Sequence, residues 1–357
     1  MKSGIFEFDL LTRMFSAGAE PKDKAEIRPS EVRAQLRWWF RTLGGFGNDK
    51  RSLREQETYY FGGVGKSPVR SRIAVRTRPA ALLKQEVKDA DELGAGLNTP
   101  LGYLLFPLRS NEKKGVYAGR AYFPPTGSGD RAFEVAVSLN GTDCEWENVL
   151  ALVSVFGNLG SLGFRARRCM GAIAFHGNAP MSLKQALACF RSPEQIFIKE
   201  LQHGNGTADG CVSALADWLK GWRSYGSSRF GLNESGRGFR FAKKDHDAGV
   251  GDGDVVYRAA IGLPIIQQYS SGEKIKNEWA ASDAERFASP VILRPFRNAD
   301  GRVVPLVIFA DVYKWRDGRK VEIVRNRNVW RMVSGASDLY EAMKADERLK
   351  TPQFLTV

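Results

Sequence analysis

The chain has 357 residues, with 53 lysines and arginines against 40 acidic residues for a formal charge of +13, and its isoelectric point lies near 9.6. Such a length can bury one large core or two smaller ones, and the positive excess favours a polyanionic partner, a nucleic acid ahead of an anionic membrane surface. No apolar run approaches the roughly 18 residues that span a bilayer, MKSGIFEFDL is no signal peptide, and Cys144, Cys169, Cys189 and Cys211 show no CxxC spacing, so the composition excludes a membrane span and a structural zinc site and describes a cytoplasmic protein.

Ile5 to Thr12 alternates, with Phe6, Phe8 and Leu10 on one face, and reads as a first strand. After a polar loop, Pro29 and Ser30 open a helix: proline suits the first turn and the serine hydroxyl is the expected cap. Val32, Leu36, Trp39, Phe40 and Leu43 form its apolar stripe, and Gly44–Gly45 end it. Arg33, Arg37 and Arg41, four residues apart, make a second, positive stripe flanked by Trp38, a combination suited to phosphates and stacked bases. Leu53 to Gly63 follows and ends in the turn signal YYFGG. From Val69 to Arg78 the alternation puts Val69, Ser71, Ile73, Val75 and Thr77 on one face. Arg70, Arg72, Arg76 and Arg78 fall on the other, a wet face nearly all arginine.

Leu101 to Pro107 and Val116 to Phe123 read as an inserted hairpin, and Phe133, Val135, Val137 and Leu139 as another strand. Thr142 and Glu145 have capping-box spacing ahead of a helix carrying Trp146, Val149, Leu150 and Val153, which Gly157 is expected to close. GNLGSLGFRARRCMG (157–171) then combines four glycines with Arg165, Arg167 and Arg168; it fits neither a Walker loop nor a dinucleotide fingerprint, so no nucleotide cofactor is expected, and a polyanion contact is. Ala172 to Phe175 supplies a last strand. With the hairpin set aside, the order strand, helix, strand, strand, helix, strand is the ferredoxin-like arrangement that RNA-recognition modules use. Strands one and four are taken to lie at opposite edges, so the arginine helix and the glycine-arginine loop are expected to act independently.

The remainder is a second mixed α/β domain, giving residues 1–175 and 176–357 as domains. Ser182 to Phe190 and Val212 to Trp222 read as helices and Gly226 to Asp254 as a mobile, charged loop. Val255 to Ile266 reads as a strand, Pro290 to Arg297 and Arg302 to Ala310 as a hairpin turning at Asp300–Gly301, and Ser337 to Lys344 as a short helix.

Together, EIRPSEVRAQLRWWFRTLGG (26–45), YYFGG followed by SRIAVR, GSLGFRARRCMG, and later AAIGLPI with RFASPVILRP resemble the RAMP superfamily of CRISPR proteins, most closely the first-subunit family of the type III-B Cmr effector complexes. The blocks occur in the family's order over nearly the whole chain. Two positions depart from it: Ala34 stands where the family has glycine, and Cys169-Met170-Gly171 where it has Gly-x-Gly. The resemblance implies an α+β fold of two ferredoxin-like domains. It also implies a non-catalytic subunit that contacts guide RNA, target RNA or both, beside other RAMP subunits and without a cofactor or metal. It carries RNA contact to Arg28, Arg33, Arg37, Trp38 and Arg41 on the helix and to Arg165, Arg167 and Arg168 in the loop. The strand adds Arg70, Arg72 and Arg76, and the later charged loop adds Lys243 and Lys244.

The rival function is a metal-independent endoribonuclease that processes guide RNA, which needs a base for a 2′-hydroxyl and a proton donor for the leaving oxygen. His176 ends a strand and His203 stands in a polar loop, leaving His246 within KKDHD as the best candidate. Asp245, Asp247, Asp252 and Asp254 share one flexible segment and lack the rigid frame that catalytic metals require. A purely architectural subunit would leave the charge unused.

Overall fold

In the computed structural model, which describes all residues except 65–66, 97–98, 111–114, 116, 128, 203, 205, 224–238, 269–275, 285 and 357, the chain opens with strand β1 (Lys2–Leu10) and helices α1 (Pro29–Thr42) and α2 (Leu53–Phe61). Strand β2 (Ile73–Pro79) is followed by an insertion holding β3 (Glu86–Lys88), α3 (Pro100–Leu104) and β4 (Arg120–Tyr122); β5 (Phe133–Leu139), α4 (Asp143–Leu159) and β6 (Ile173–Phe175) complete the module. Its sheet has the order β2-β5-β1-β6, with β1 antiparallel to both β5 and β6. This is the ferredoxin-like arrangement, and it puts the first and last strands side by side, not at opposite edges as the sequence reading had them. Phe8 is the centre of the core: its ring lies 5.3 Å from Phe133, 5.7 Å from Phe156 and 5.0 Å from Phe175.

The local signals hold where side chains act on their own backbone. Thr142 and Glu145 make both halves of a capping box, and Val32, Leu36, Trp39, Phe40 and Leu43 are all buried. Three expectations fail. The inserted hairpin pairs β3 with β4, whereas 101–107 is helical because Thr99 caps the amide of Gly102 and Pro100 opens the turn. α4 runs past Gly157 to Leu159; Gly157 is there because a Cβ would lie 2.2 Å from the Phe175 ring. The strand at 69–78 begins only at Ile73.

After α5 (Leu183–Ala188) come β7 (Ile196–Leu201), α6 (Ala208–Arg223), α7 (Phe239–Val250), β8 (Val255–Val256), β9 (Ile265–Gln268), β10 (Lys276–Ala281), β11 (Val291–Arg297) and β12 (Val303–Ala310). The chain closes with β13 (Lys320–Arg325), β14 (Asn328–Gly335), α8 (Asp338–Lys344), β15 (Leu349–Lys350) and α9 (Gln353–Thr356). Strands β11-β12-β7-β15 form a sheet whose order repeats the first module's, with α6 and α8 in the helix positions of the chain order. Within it, the elements from α7 to β10 and the β13–β14 hairpin are insertions, and they build a third sheet, β8-β14-β13-β10-β9. The loop expected at 226–254 is therefore helical over 239–250, its earlier part and His203 lying outside the described residues. The strand expected at 255–266 is two short strands around a 3-10 turn at Arg258–Ile261.

Compact units do not divide at residue 176. One comprises Met1–Leu215, Leu293–Val307 and Lys350–Val357, the other Ala216–Ile292 and Ile308–Leu349. No helix among the described residues is long and apolar enough to cross a membrane.

Candidate nucleic-acid interface

Helix α1 starts from an extended Arg28, with Pro29 in its first turn and no side chain capping its amides; Ser30, the expected cap, sits inside the helix. The first-turn carboxylate instead ties the helix outward. Glu31 accepts from the Ser16 hydroxyl and, at 2.5 Å, from the Gly163 amide of the glycine-arginine loop. Farther along, Arg167 of that loop lies 5.2 Å over the Trp38 ring. Helix and loop thus form one surface. Trp38 is half-buried and edge-on to Trp39, which is 1% exposed, so the helix faces fall as the apolar spacing indicated.

The positive stripe is turned against α2. Arg37 and Arg41 both donate to Glu57, Arg37 from Nε at 2.9 Å and Arg41 from Nε at 2.7 Å. Burial raises the Glu57 carboxyl, but bonds from Arg41 and Arg37 prevail and hold it below the usual carboxylate range. Arg33 donates to the Phe61 carbonyl, and burial, with the nearby Arg37 charge, lowers its pKa. Arg72 is likewise engaged: it bonds the Asn140 carbonyl at 2.6 Å and lies 4.1 Å from the Tyr59 ring. Arg28, Arg70 and Arg76 remain exposed and, among the described residues, without an ion-pair partner. Arg28 and the arginine strand are brought together by the Thr77 hydroxyl, which bonds the carbonyl of Ile27 at 2.7 Å.

The loop owes its path to backbone more than to charge. A Cβ at Gly163 (φ +87) would meet the Phe15 carbonyl oxygen at 2.6 Å, and one at Gly171 (φ +63) the Leu162 oxygen at 1.9 Å. Arg165 and Cys169 also have φ of +63 and +69. Cys169 stands where the resembling family has glycine, and it keeps the left-handed backbone with its thiol fully buried and its pKa raised by that burial. Arg165 donates to the Leu104 carbonyl at 2.7 Å, and Arg168, only 8% exposed, donates from Nη1 to the Arg167 carbonyl at 3.0 Å.

Arg294 of β11 escaped the sequence reading as a site residue, although it is the second-last residue of the motif RFASPVILRP. Fully buried, it bonds the carbonyls of Gly160 at 2.6 Å and Ile173 at 2.7 Å, clasping both ends of the loop. Burial pulls its pKa down to about 9, which leaves it charged at neutral pH. The Cys169 amide bonds the Leu293 carbonyl at 2.9 Å and the Leu293 amide the Arg167 carbonyl at 3.2 Å, so β11 splints the loop.

A cleft of about 830 Å³ opens beside the same module, and Asp9, His176, Asn158, Thr126 and Arg297 line part of it. Asp9, 5% exposed, holds His176 Nδ1 at 2.7 Å and Arg297 Nη2 at 2.6 Å. Asp245 on α7 has an internal role: wholly buried, it accepts from the Tyr257 amide at 2.6 Å and from Arg258 Nε at 2.6 Å, and burial raises its pKa despite the Arg258 charge. His246 stands 3.6 Å from Asp247. Lys243 and Lys244 are exposed on α7, the first 3.4 Å from Asp247 and the second 3.4 Å from the Tyr257 hydroxyl.

A βαββαβ module whose last strand follows a splinted glycine-arginine loop agrees with a family match: residues 7–174 fit the RAMP superfamily. The N-terminal half of this chain is thus similar to the RAMP superfamily. The chain is 30% identical over 171 residues to the CRISPR system Cmr subunit Cmr1-1 of Pyrococcus furiosus, covering 47% of this chain and 46% of that protein. It is 29% identical over 188 residues to Cmr1-2 of the same organism, covering 48% of this chain and 95% of that protein. The match therefore spans about half the length of the first relative. In fold, the crystal structure of apo Cmr1 from Pyrococcus furiosus aligns over 98% of both chains with a TM-score of 0.55 at 18% identity.

Proposed function

We propose that this protein is a non-catalytic RNA-binding subunit of a type III-B Cmr ribonucleoprotein, contacting guide RNA, target RNA or both beside other RAMP subunits. The observation that carries this reading is the set of exposed arginines Arg28, Arg70 and Arg76, which no carboxylate among the described residues neutralises. Relatives named as Cmr subunits supply the context. Arg33, Arg37 and Arg72 shape this surface from behind, each engaged by a protein acceptor, while Arg41 is exposed and bonds Glu57. Phosphate contacts have a salt signature: replacing Arg28, Arg70 and Arg76 by Gln should flatten log K against log[salt] by roughly 0.7 per contact on single-stranded RNA. Surface changes of this kind leave stability within about 0.5 kcal/mol. Unchanged affinity and slope in the triple variant would refute the assignment.

The Asp9–His176 pair keeps the endoribonuclease reading open to test, and moves it from His246 to His176. A carboxylate on Nδ1 orients an imidazole as it does in general bases. The non-catalytic reading expects no discrete products from guide precursor, with or without Mg²⁺; products that vanish in His176→Ala would replace it.

A further inference from the structure

The tip of the β13–β14 hairpin carries three features that ordinary hairpin economy does not require. Its two-residue turn, Asn326–Arg327, has φ of +49 and +68, the primed geometry in which glycine is favoured at the second place. Arginine occupies that place despite the steric penalty its Cβ incurs there. Next, the register shifts: Ile323 faces Arg331 while Val324 faces Val329, so Trp330 is the extra residue of a bulge. Bulges re-aim side chains and recur beside functional sites. Trp330 is accordingly 41% exposed, and the Arg325 guanidinium lies 3.2 Å from its ring centre.

The charge at the tip is open. Arg325 bonds neutral acceptors, the Asn277 carboxamide at 2.8 Å and the Gly249 carbonyl at 2.6 Å. Arg327 is exposed and has no ion-pair partner among the described residues. In the neighbouring α7–β8 turn, Asp254 is engaged by Arg331 at 2.5 Å and Asp252 is exposed, and on α7 Asp247 is engaged by Lys243 at 3.4 Å. An indole held rigid from one side by a guanidinium, beside a cation at a turn tip, matches the requirements of a nucleobase and its phosphate.

We propose that this hairpin tip is a stacking platform for single-stranded RNA, with a base on the exposed part of Trp330 and a flanking phosphate at Arg327. The proposal rests on the RNA-binding reading and adds a contact that neither α1 nor the glycine-arginine loop provides. A protein partner seated on Val329 and Met332, each 53% exposed, is the competing occupant.

The test uses the full chain and a fluorescently labelled oligoadenylate, intact or with abasic positions. Trp330→Ala should weaken binding of the intact strand roughly five- to a hundredfold, the equivalent of one lost stack, and Trp330→Phe should restore most of it. Abasic strands should discriminate less between wild type and Trp330→Ala. Arg327→Gly suits the left-handed turn better than arginine, so folding is safe even where Trp330→Ala is not. It should still lower affinity and flatten the salt slope by roughly 0.7. Wild-type binding by both Trp330→Ala and Arg327→Gly would overturn the platform while leaving RNA binding intact. If Arg327→Gly binds RNA normally but loses a protein subunit, the tip is a protein contact and the proposal fails. A wild-type chain that binds no oligonucleotide at all removes the RNA-binding reading and the platform together.

Discussion

Arg294 sets the terms at the scale of single residues. A fully buried guanidinium is costly, yet its acceptors are the backbone carbonyls of Gly160 and Ile173, which stay when the side chain is removed. Each orphaned buried acceptor costs about 1–3 kcal/mol, so Arg294→Met should lose stability by about 2–4 kcal/mol overall. Amide exchange should quicken from Gly160 to Ile173 and little elsewhere; wild-type protection there would show that the loop does not need its clasp. Asp346 works in the second unit by similar logic with the opposite charge. It accepts from Trp218 Nε1 at 2.8 Å, Trp222 Nε1 at 2.9 Å and Arg348 Nη2 at 2.6 Å. Burial raises the carboxyl, but the bonds from Arg348 and Trp222 bring it down to about 2. Because the folded value lies below the unfolded one, near 3.9, the stabilisation is complete above about pH 4 and is lost as pH falls towards 2. Asp346→Asn should destabilise the protein at neutral pH by about 1.5–3 kcal/mol and make the melting temperature less steep between pH 4 and 2. An acid limb as steep as the wild type's would disprove the role.

Among elements, α1 and the glycine-arginine loop behave as one body. Strand β6 lies beside β1, Glu31 holds the Gly163 amide, and Arg167 covers Trp38. Contacting residues couple, whereas distant ones add within about 0.5 kcal/mol. Arg37→Ala combined with Arg167→Ala and Arg168→Ala should therefore depart from additivity in RNA affinity by more than that, in contrast to what separate sheet edges would give; a strictly additive cycle would show the seam to be inert. The two tryptophans divide in the same experiment series. Trp39→Ala, in the core, should cost about 3–5 kcal/mol of stability, and Trp38→Ala less, with its effect on RNA binding insensitive to salt. Both faces of α1 were legible because helical spacing alone separates them. Which arginines of the stripe meet solvent was not, since Glu57 lies on another helix.

At the scale of the molecule, the strand that completes the loop comes from more than 100 residues later in the chain. A fragment of residues 1–175 contains the whole first βαββαβ order but lacks Arg294 and the β11 splint. It should fail to melt cooperatively, or melt well below the full chain, in calorimetry; a cooperative transition at the full-length temperature would show the two halves to be independent. The sequence by itself determined the first ferredoxin-like order, the apolar stripe of α1, the capping box at Thr142 and the basic character of the surface, because each depends on spacing within one element or on summed charge. Tertiary structure decided the rest. It made 239–250 a helix anchored by buried Asp245 and gave β7, β11, β12 and β15 the strand order of the first sheet. It consumed Arg33, Arg37, Arg72 and Arg168 internally while leaving Arg28, Arg70 and Arg76 open. A cation's role is set by what lies within about 3 Å of it, and those neighbours come from other elements, where no periodicity in the chain can report them.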